Sequence, residues 1–432
     1  MKKIFLTLLL FLCTQIANAN SFPTVTEINP AIKALMEKVN IDSLEAKIRY
    51  LQDLGSRPRN VSSPFHPNNI AAKNWLYQQY ENIGNLDVYF NHFLPDSLCE
   101  PFWVPNTFLS VNDAMNVVAV QKGTVYPDEY IIVCSHFDTF FNTPGADDNA
   151  SGTSGVLEIA RVLSPYSFKR SIIYLNNNGE EMGPAGSKIF AYYCRENNIN
   201  ILCVFNLDMI GYNPIGKPLE MFYNERPSIN KEFAEYFSEV SDLYLPEIPA
   251  LPNQNEDTNI YKQGLGDCVM FIHYDYPAMY MGDIMGLKNI SDWKYYVPCY
   301  HQPCDTIGIG KADAGVNSME LVRAYTRATL AAIAELAELD DSNIENENFI
   351  NCVIAPNPTN STATVTMYLK DVGNLTVTLN NLLGQELLEI HNGFITTVEF
   401  TKTFSLESLA KGMYYLKIIH NGNTKIEKVI KN

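Results

Sequence analysis

Four apolar runs set the frame of the chain. "NVVAVQ" (116–121), "YIIVCSHF" (130–137), "SIIYLNN" (171–177) and "ILCVFNLDMI" (201–210) are short and rich in Val, Ile and Leu. Runs of this kind predict strands buried on both faces. Between them, Val156, Ile159, Ala160 and Leu163 recur at i, i+3, i+4 and i+7, one face of a helix. "GPAGSKIFAYYCREN" predicts the next helix, with Pro184 near its start. Residues from about 30 to 85 read as mostly helical, and a long helix is expected from about Ser318 to Leu339. Strands alternating with helices predict an α/β domain over 20–340, its mostly parallel sheet covered by helices on both faces.

The pattern then changes. "DDSNIENENF" is polar and acidic, so 341–350 is expected to be a linker. From there the text alternates in short runs, "TATVTMYL", "LTVTLNN" and "MYYLKIIHNG". That alternation predicts a small all-β sandwich over 351–432.

Composition narrows the class. The chain has 432 residues, enough for more than one core. A formal net charge of -17 argues against nucleic acid as a partner, which wants a basic face. The start, "MKKIFLTLLLFLCTQIANAN", has two lysines, a short apolar stretch and Ala17-Asn18-Ala19. Residues 1–19 are therefore expected to be a secretory signal peptide, and no later run has the length of a transmembrane helix. Export permits disulfides. Cys134, Cys194 and Cys203 lie in apolar runs and are expected as buried thiols, whereas Cys299 and Cys304 are the closest pair and could staple a loop.

Polar residues cluster where the apolar runs end. "SHFDT" holds His136 and Asp138, "GADDNASGTSG" holds Asp147 and Asp148, and "NNNGEEMG" holds Glu180 and Glu181. "NLDM" holds Asp208, and "YHQPCDT" holds His301 and Asp305. In an open parallel sheet the ligand site lies beyond the carboxyl ends of the strands, so these stretches are expected to converge. Imidazoles and carboxylates together suit zinc-like divalent ions.

The order of these motifs resembles the secreted zinc aminopeptidases of the M28 type, over about residues 30–338. The resemblance implies two Zn2+ ions on an aminopeptidase α/β fold, acting on peptides with a free N-terminus. By it, His136 and Asp208 hold one ion, Glu181 and His301 the other, and Asp148 bridges them. Glu180 is then the general base, and the adjacent glutamates have separate tasks. Asp138, two residues beyond His136, is expected to orient the imidazole rather than bind metal. Asp147 is expected to cap the helix starting near Ser151, while Asp305 has no assigned role. His273 reads as structural, and His66, His92, His391 and His420 as surface. One departure stands out: the family often carries Ser-Asp-His before the last ligand, and here the matching stretch is Gly266-Asp267-Cys268. That substitution bears on the substrate pocket rather than on the ligands.

"VIAPNPTN", "LLGQEL" and the closing "KGMYYLKIIHNGNTKIEKVIKN" resemble the C-terminal sorting domain of type IX secretion. The resemblance implies the export machinery as a partner and a secreted or cell-surface location. Two alternatives stay open. One is a glutaminyl cyclase of the same fold, with one zinc and the same double Glu; the other is a non-catalytic binding relative.

Overall fold

Alternate residues of each apolar run serve opposite faces of one sheet. In the strand Tyr126–His136, Ile131 and Val133 join one buried cluster, and Ile132 and Cys134 join a second. Arg170–Asn177 repeats this, with Ile172 and Tyr174 on the first side and Ile173 and Leu175 on the other. A period of two in side-chain direction requires that split.

The computed structural model describes residues 22–58, 66–92, 115–181, 183–212, 218–224, 228–255, 266–282, 297–340, 349–369, 371–381, 384–421 and 423–432. The expected signal peptide and the segment 341–348 lie outside these residues. The chain divides into two compact units, Met1–Asp340 and Asp341–Asn432.

In the first unit the strands are β1 (Asp87–His92), β2 (Met115–Gln121), β3 (Tyr126–His136), β4 (Arg170–Asn177), β5 (Asn200–Leu207), β6 (Leu219–Asn224), β7 (Ala250–Asn255) and β8 (Ala278–Met281). They form one sheet in the order β1-β2-β4-β3-β5-β8-β6-β7. The centre is parallel, with β4, β3, β5 and β8 running the same way. β2 is antiparallel to both β1 and β4, and β6 is antiparallel to β8.

Helices cover both faces. α1 (Pro30–Glu37), α2 (Ile41–Asp53), α3 (Pro67–Ile83), α4 (Gly152–Leu163), α6 (Ile229–Tyr244) and α8 (Met319–Leu336) bury their apolar sides in the first cluster. α5 (Ala185–Glu196) and α7 (Cys268–His273) supply the second cluster, including Phe190, Cys194 and Phe271. The caps follow the sequence. Asn29 and Asn40 accept from the Ala31 and Ser43 N–H groups, and Ser318 accepts from Leu321 N–H at 3.2 Å. α3 stops at Gly84, whose φ of 76° favours glycine. Cys134, Cys194 and Cys203 are buried free thiols, and Cys299 is bonded to Cys304.

The second unit is all β. One sheet orders β13 (Glu399–Ser405), β10 (Thr362–Leu369) and β9 (Phe349–Ala355). The other orders β12 (Glu386–Ile395), β11 (Gly373–Asn380), β14 (Gly412–His420) and β15 (Asn423–Lys431). Val365, Met367, Val377, Leu416 and Ile418 meet in its core. β9 begins at Phe349, two residues before the expected boundary. His420 corrects the reading of that residue as surface: it ends β14 with its side chain buried. In that strand alternate residues face the core, and His420 keeps step with Leu416 and Ile418. His391 is half-buried beside Phe400. The His92 side chain lies outside the described residues.

Each unit has its own core, so a chain ending at Glu345 is expected to unfold in one cooperative thermal transition. Calorimetry of the truncated chain checks this. A broad, non-cooperative melt would show that the first unit needs residues beyond the cut.

Candidate metal centre

The carboxyl ends of three neighbouring strands deliver the expected residues to one place. His136 is the last residue of β3, Glu180 and Glu181 follow β4, and Asp208 follows β5. Asp148 lies in the irregular helical segment Ala146–Ser151 that leads into α4. His301 comes from the loop before α8.

Two donor groups result, His136–Asp148–Asp208 and Asp148–Glu181–His301, each with its donor atoms within 4.8 Å of one another. His136 Nε2 lies 3.3 Å from Asp148 Oδ1 and 3.4 Å from Asp208 Oδ1. His301 Nε2 lies 3.2 Å from Asp148 Oδ2 and 2.8 Å from Glu181 Oε2. The two oxygens of Asp148 are thus divided between the groups. Glu180 belongs to neither, with Oε2 4.0 Å from His136 Nε2.

The donor set fits a cation on three counts. Asp148 Oδ2, Asp208 Oδ1 and His301 Nε2 are buried, and none of their close contacts with the facing donors has hydrogen-bond geometry. Buried polar atoms are nearly always paired, so such a convergence calls for an ion. The titration of the site says the same. Burial alone would lower the His136 imidazole, but Asp208, Asp138 and Asp148 hold it well above its ordinary value. Burial opposes ionisation of Asp148 too, yet His136 and His301 keep it well below the carboxylate range. Imidazole and carboxylate donors are also the chemistry that zinc accepts.

A surrounding set of hydrogen bonds fixes these side chains. Asp138 is buried, and its carboxylate accepts from the N–H groups of Glu180 (3.1 Å) and Glu181 (3.3 Å). It also faces His136, whose Nδ1 is 3.2 Å from the Asp138 carbonyl and 3.6 Å from Oδ1. Glu181 Oε1 accepts from Phe140 N–H at 2.9 Å, which leaves Oε2 for His301. Asp305 accepts from the N–H groups of Asp147 (2.8 Å) and Asp148 (3.1 Å).

Asp147 does not cap α4, which corrects the sequence expectation. Its Oδ1 accepts from Gly211 N–H at 2.8 Å, while Asn149 Oδ1 takes the Gly152 N–H at 2.9 Å. The chain turns sharply between Asp147 and Ser151, with non-helical angles at Asp148 and Asn149, so the capping geometry falls to the later residue. Cys268 is buried in the second core cluster, with its N–H donated to Asn206 Oδ1 at 3.0 Å. His273 is half-buried against Tyr274.

Arg57 was not anticipated. It is fully buried and donates to the carbonyls of Phe137 (3.0 Å), Pro144 (2.7 Å) and Gly145 (3.1 Å). One guanidinium therefore ties the His136 loop to the Asp148 loop. Burial pulls its pKa down to about 10, against the pull of Asp305, Asp138, Asp148 and Glu181. Nothing in "LGSRPRN" signals this, because a single buried cation has no period.

Comparison with known proteins accords with this geometry. Residues 116–326, which include all these donors, match peptidase family M28. Residues 353–432 match the secretion system C-terminal sorting domain, which marks an exported or cell-surface protein. A probable zinc metalloprotease of Pyrenophora teres f. teres is 30% identical over 195 residues, 42% of this chain and 41% of that one. Aminopeptidase Y of Saccharomyces cerevisiae is 26% identical over 231 residues, 53% of this chain and 41% of that one. The chain thus spans about two fifths of the length of these curated relatives. Among solved structures, the LapA aminopeptidase of Legionella pneumophila has TM-score 0.57 at 18% identity, covering 74% of this chain and 77% of that one. The glutaminyl cyclase of Porphyromonas gingivalis has TM-score 0.51 at 15% identity, covering 69% and 98%. These likenesses are of fold. Among the described residues, no helix is long and apolar enough to cross a membrane.

Asp305→Ala removes the acceptor for two buried N–H groups of the Asp148 loop. The variant is expected to lose about 1–3 kcal/mol of stability for each donor left unpaired. Urea unfolding of the metal-free protein checks this, and a loss below about 0.5 kcal/mol would show that the loop finds other acceptors.

Proposed function

We propose that the chain is an exported zinc aminopeptidase with two ions in its site. The observation that carries this is the division of Asp148, one oxygen to each donor group. His136 and Asp208 would hold one ion, Glu181 and His301 the other, with Asp148 between them. When bound, zinc supplies Lewis acidity to a carbonyl oxygen and acidifies a coordinated water.

The chain's own residues supply the proton chemistry. Glu180 is partly buried, with Oε2 4.0 Å from His136 Nε2. Burial pushes its carboxyl well up, and Glu181, Asp208 and Asp267 add to this against the pull of His136. A carboxylate with raised proton affinity suits a general base. Glu180 Oε2 takes the proton of the attacking water and hands it to the leaving amine nitrogen, a step typically worth roughly 10²–10⁴-fold. Asp138 keeps the two glutamates apart by holding both of their N–H groups. The site's acidity also favours a protonated α-amino group, whose ordinary pKa is about 7.7–8.0.

The cyclase alternative needs one ion, and the second donor group favours two. The binding-relative alternative expects missing donors, and the two complete candidate groups speak against it.

Two experiments test this reading. Glu180→Gln is expected to keep its zinc and lose on the order of 10²–10⁴ in kcat. Glu181→Gln is expected to lose about one equivalent of zinc instead. Elemental analysis decides, and equal metal loss in both variants would remove the division of labour. The second compares a free peptide starting with Gln and its acetylated form. The free peptide is expected to release free amino acids one at a time, and the acetylated one to be nearly inert. Internal cleavage of the acetylated peptide would overturn the exopeptidase reading, and pyroglutamate as the main product would favour the cyclase.

A further inference from the structure

The two donor groups are supported unequally. His136 ends a central strand, and its backbone pairs with β4. His301 stands in a loop, at a φ of 55° that non-glycine residues seldom adopt. Such a backbone costs on the order of 1–2 kcal/mol and persists only where its surroundings impose it.

The loop is closed around this histidine. Cys299 and Cys304, on either side of it, are joined by a disulfide with Cα atoms 5.2 Å apart. Inside the ring, Gln302 N–H donates to the Cys299 carbonyl at 3.0 Å, and just beyond it Asp305 N–H donates to the Gln302 carbonyl at 3.0 Å. The imidazole is stacked on Tyr300, with centroids 3.7 Å apart, and on Phe140 at 4.2 Å. Asp305 follows the second cysteine directly and carries the N–H groups of the Asp148 loop. The covalent ring thus encloses His301, whereas Asp305, which holds the Asp148 loop, lies outside it.

We propose that the Cys299–Cys304 disulfide is the positioning element of His301, so that the second donor group is complete only in the oxidised chain. This rests on the two-ion reading above. Opening the ring frees the backbone of the loop to leave the left-handed region, and His301 Nε2 then loses its place beside Glu181 and Asp148. The first group needs no such device, because His136 and Asp208 adjoin paired strands and the Asp148 loop is held by Asp305, outside the ring. Cys299 is buried but Cys304 is exposed, so a reductant can reach the bond. Exposed disulfides are the more readily reduced class. The chain carries a sorting domain for export, and disulfides persist in oxidising compartments. The second group is therefore assembled after the chain leaves the cytoplasm.

The test uses the full chain, zinc alone as probe, and a phosphine reductant. The phosphine breaks the S–S bond by donating two electrons. Water supplies the two protons for the thiols and the oxygen of the phosphine oxide. Zinc affinity is measured by chelator competition on the oxidised chain, the reduced chain and Cys299→Ser/Cys304→Ser, alongside unfolding of the metal-free forms. The oxidised chain is expected to bind two equivalents. The reduced chain and the double variant are expected to keep the first at unchanged affinity and bind the second about 10–100-fold more weakly, the usual cost of losing an outer support. A merely structural bridge would lower the melting temperature and leave both affinities alone, and that result overturns the proposal. If the double variant does not fold, the reduced chain decides, since it is reduced after folding. A single equivalent on the oxidised chain would sink the two-ion reading itself, and the inference with it, before any variant is compared.

Discussion

Repulsion among buried carboxylates is the constraint from which this site takes its shape. Asp138, Asp148, Glu180, Glu181, Asp208 and Asp305 stand together at one end of the sheet, the four aspartates buried and the two glutamates half-buried. Removing such charges from water costs several kcal/mol each unless something offsets them. The protein offsets them in layers. Backbone N–H groups serve Asp138, Asp305 and one oxygen of Glu181. The buried guanidinium of Arg57 supplies a full positive charge behind them. The remaining demand is visible at the imidazoles: burial disfavours a charged His301, yet Asp148 and Glu181 lift it to about 10. Divalent cations between the same atoms meet that demand more directly, which is why the donor set reads as a metal centre rather than a proton store.

The sheet makes this concentration of charge tolerable. Its strands end together, so acids from β3, β4 and β5 converge without crossing the apolar layers. The two clusters beneath carry the folding energy, and the acidic end is held by loops anchored to them. The Ser135–Thr153 contact and the Thr153 hydroxyl donating to the His136 carbonyl at 2.7 Å show how close that anchoring is.

Much of this was legible in the sequence because it is periodic or ordered. The continuous Val and Ile runs gave β2 to β5, and the polar endings of those runs gave the residues now found together. What escaped lacks a local signal. β6 and β7 contain Glu220, Pro252 and Asn253, which interrupt any strand pattern. The direction of β2 depends on which neighbour it pairs with, and its own text is the same either way. The capping duty expected of Asp147 falls to Asn149 because the turn between them is irregular. Arg57 contributes through contacts some 80 residues away in the chain, and His420 through the alternation of one late strand.

The split of β3 between two cores has a consequence for how this protein can vary in evolution. Ile131 and Val133 face one cluster, Ile132 and Cys134 the other, and the strand ends at His136. Exchanging one apolar residue for another along this stretch costs little. Inserting or deleting a single residue exchanges the two faces and turns His136 away from Asp148 and Asp208. The reading frame of the strand, in the sense of odd and even, is thus held more tightly than its letters. Homologous chains are free to drift in sequence here, while the count of residues from the first core contact to the histidine is expected to stay fixed.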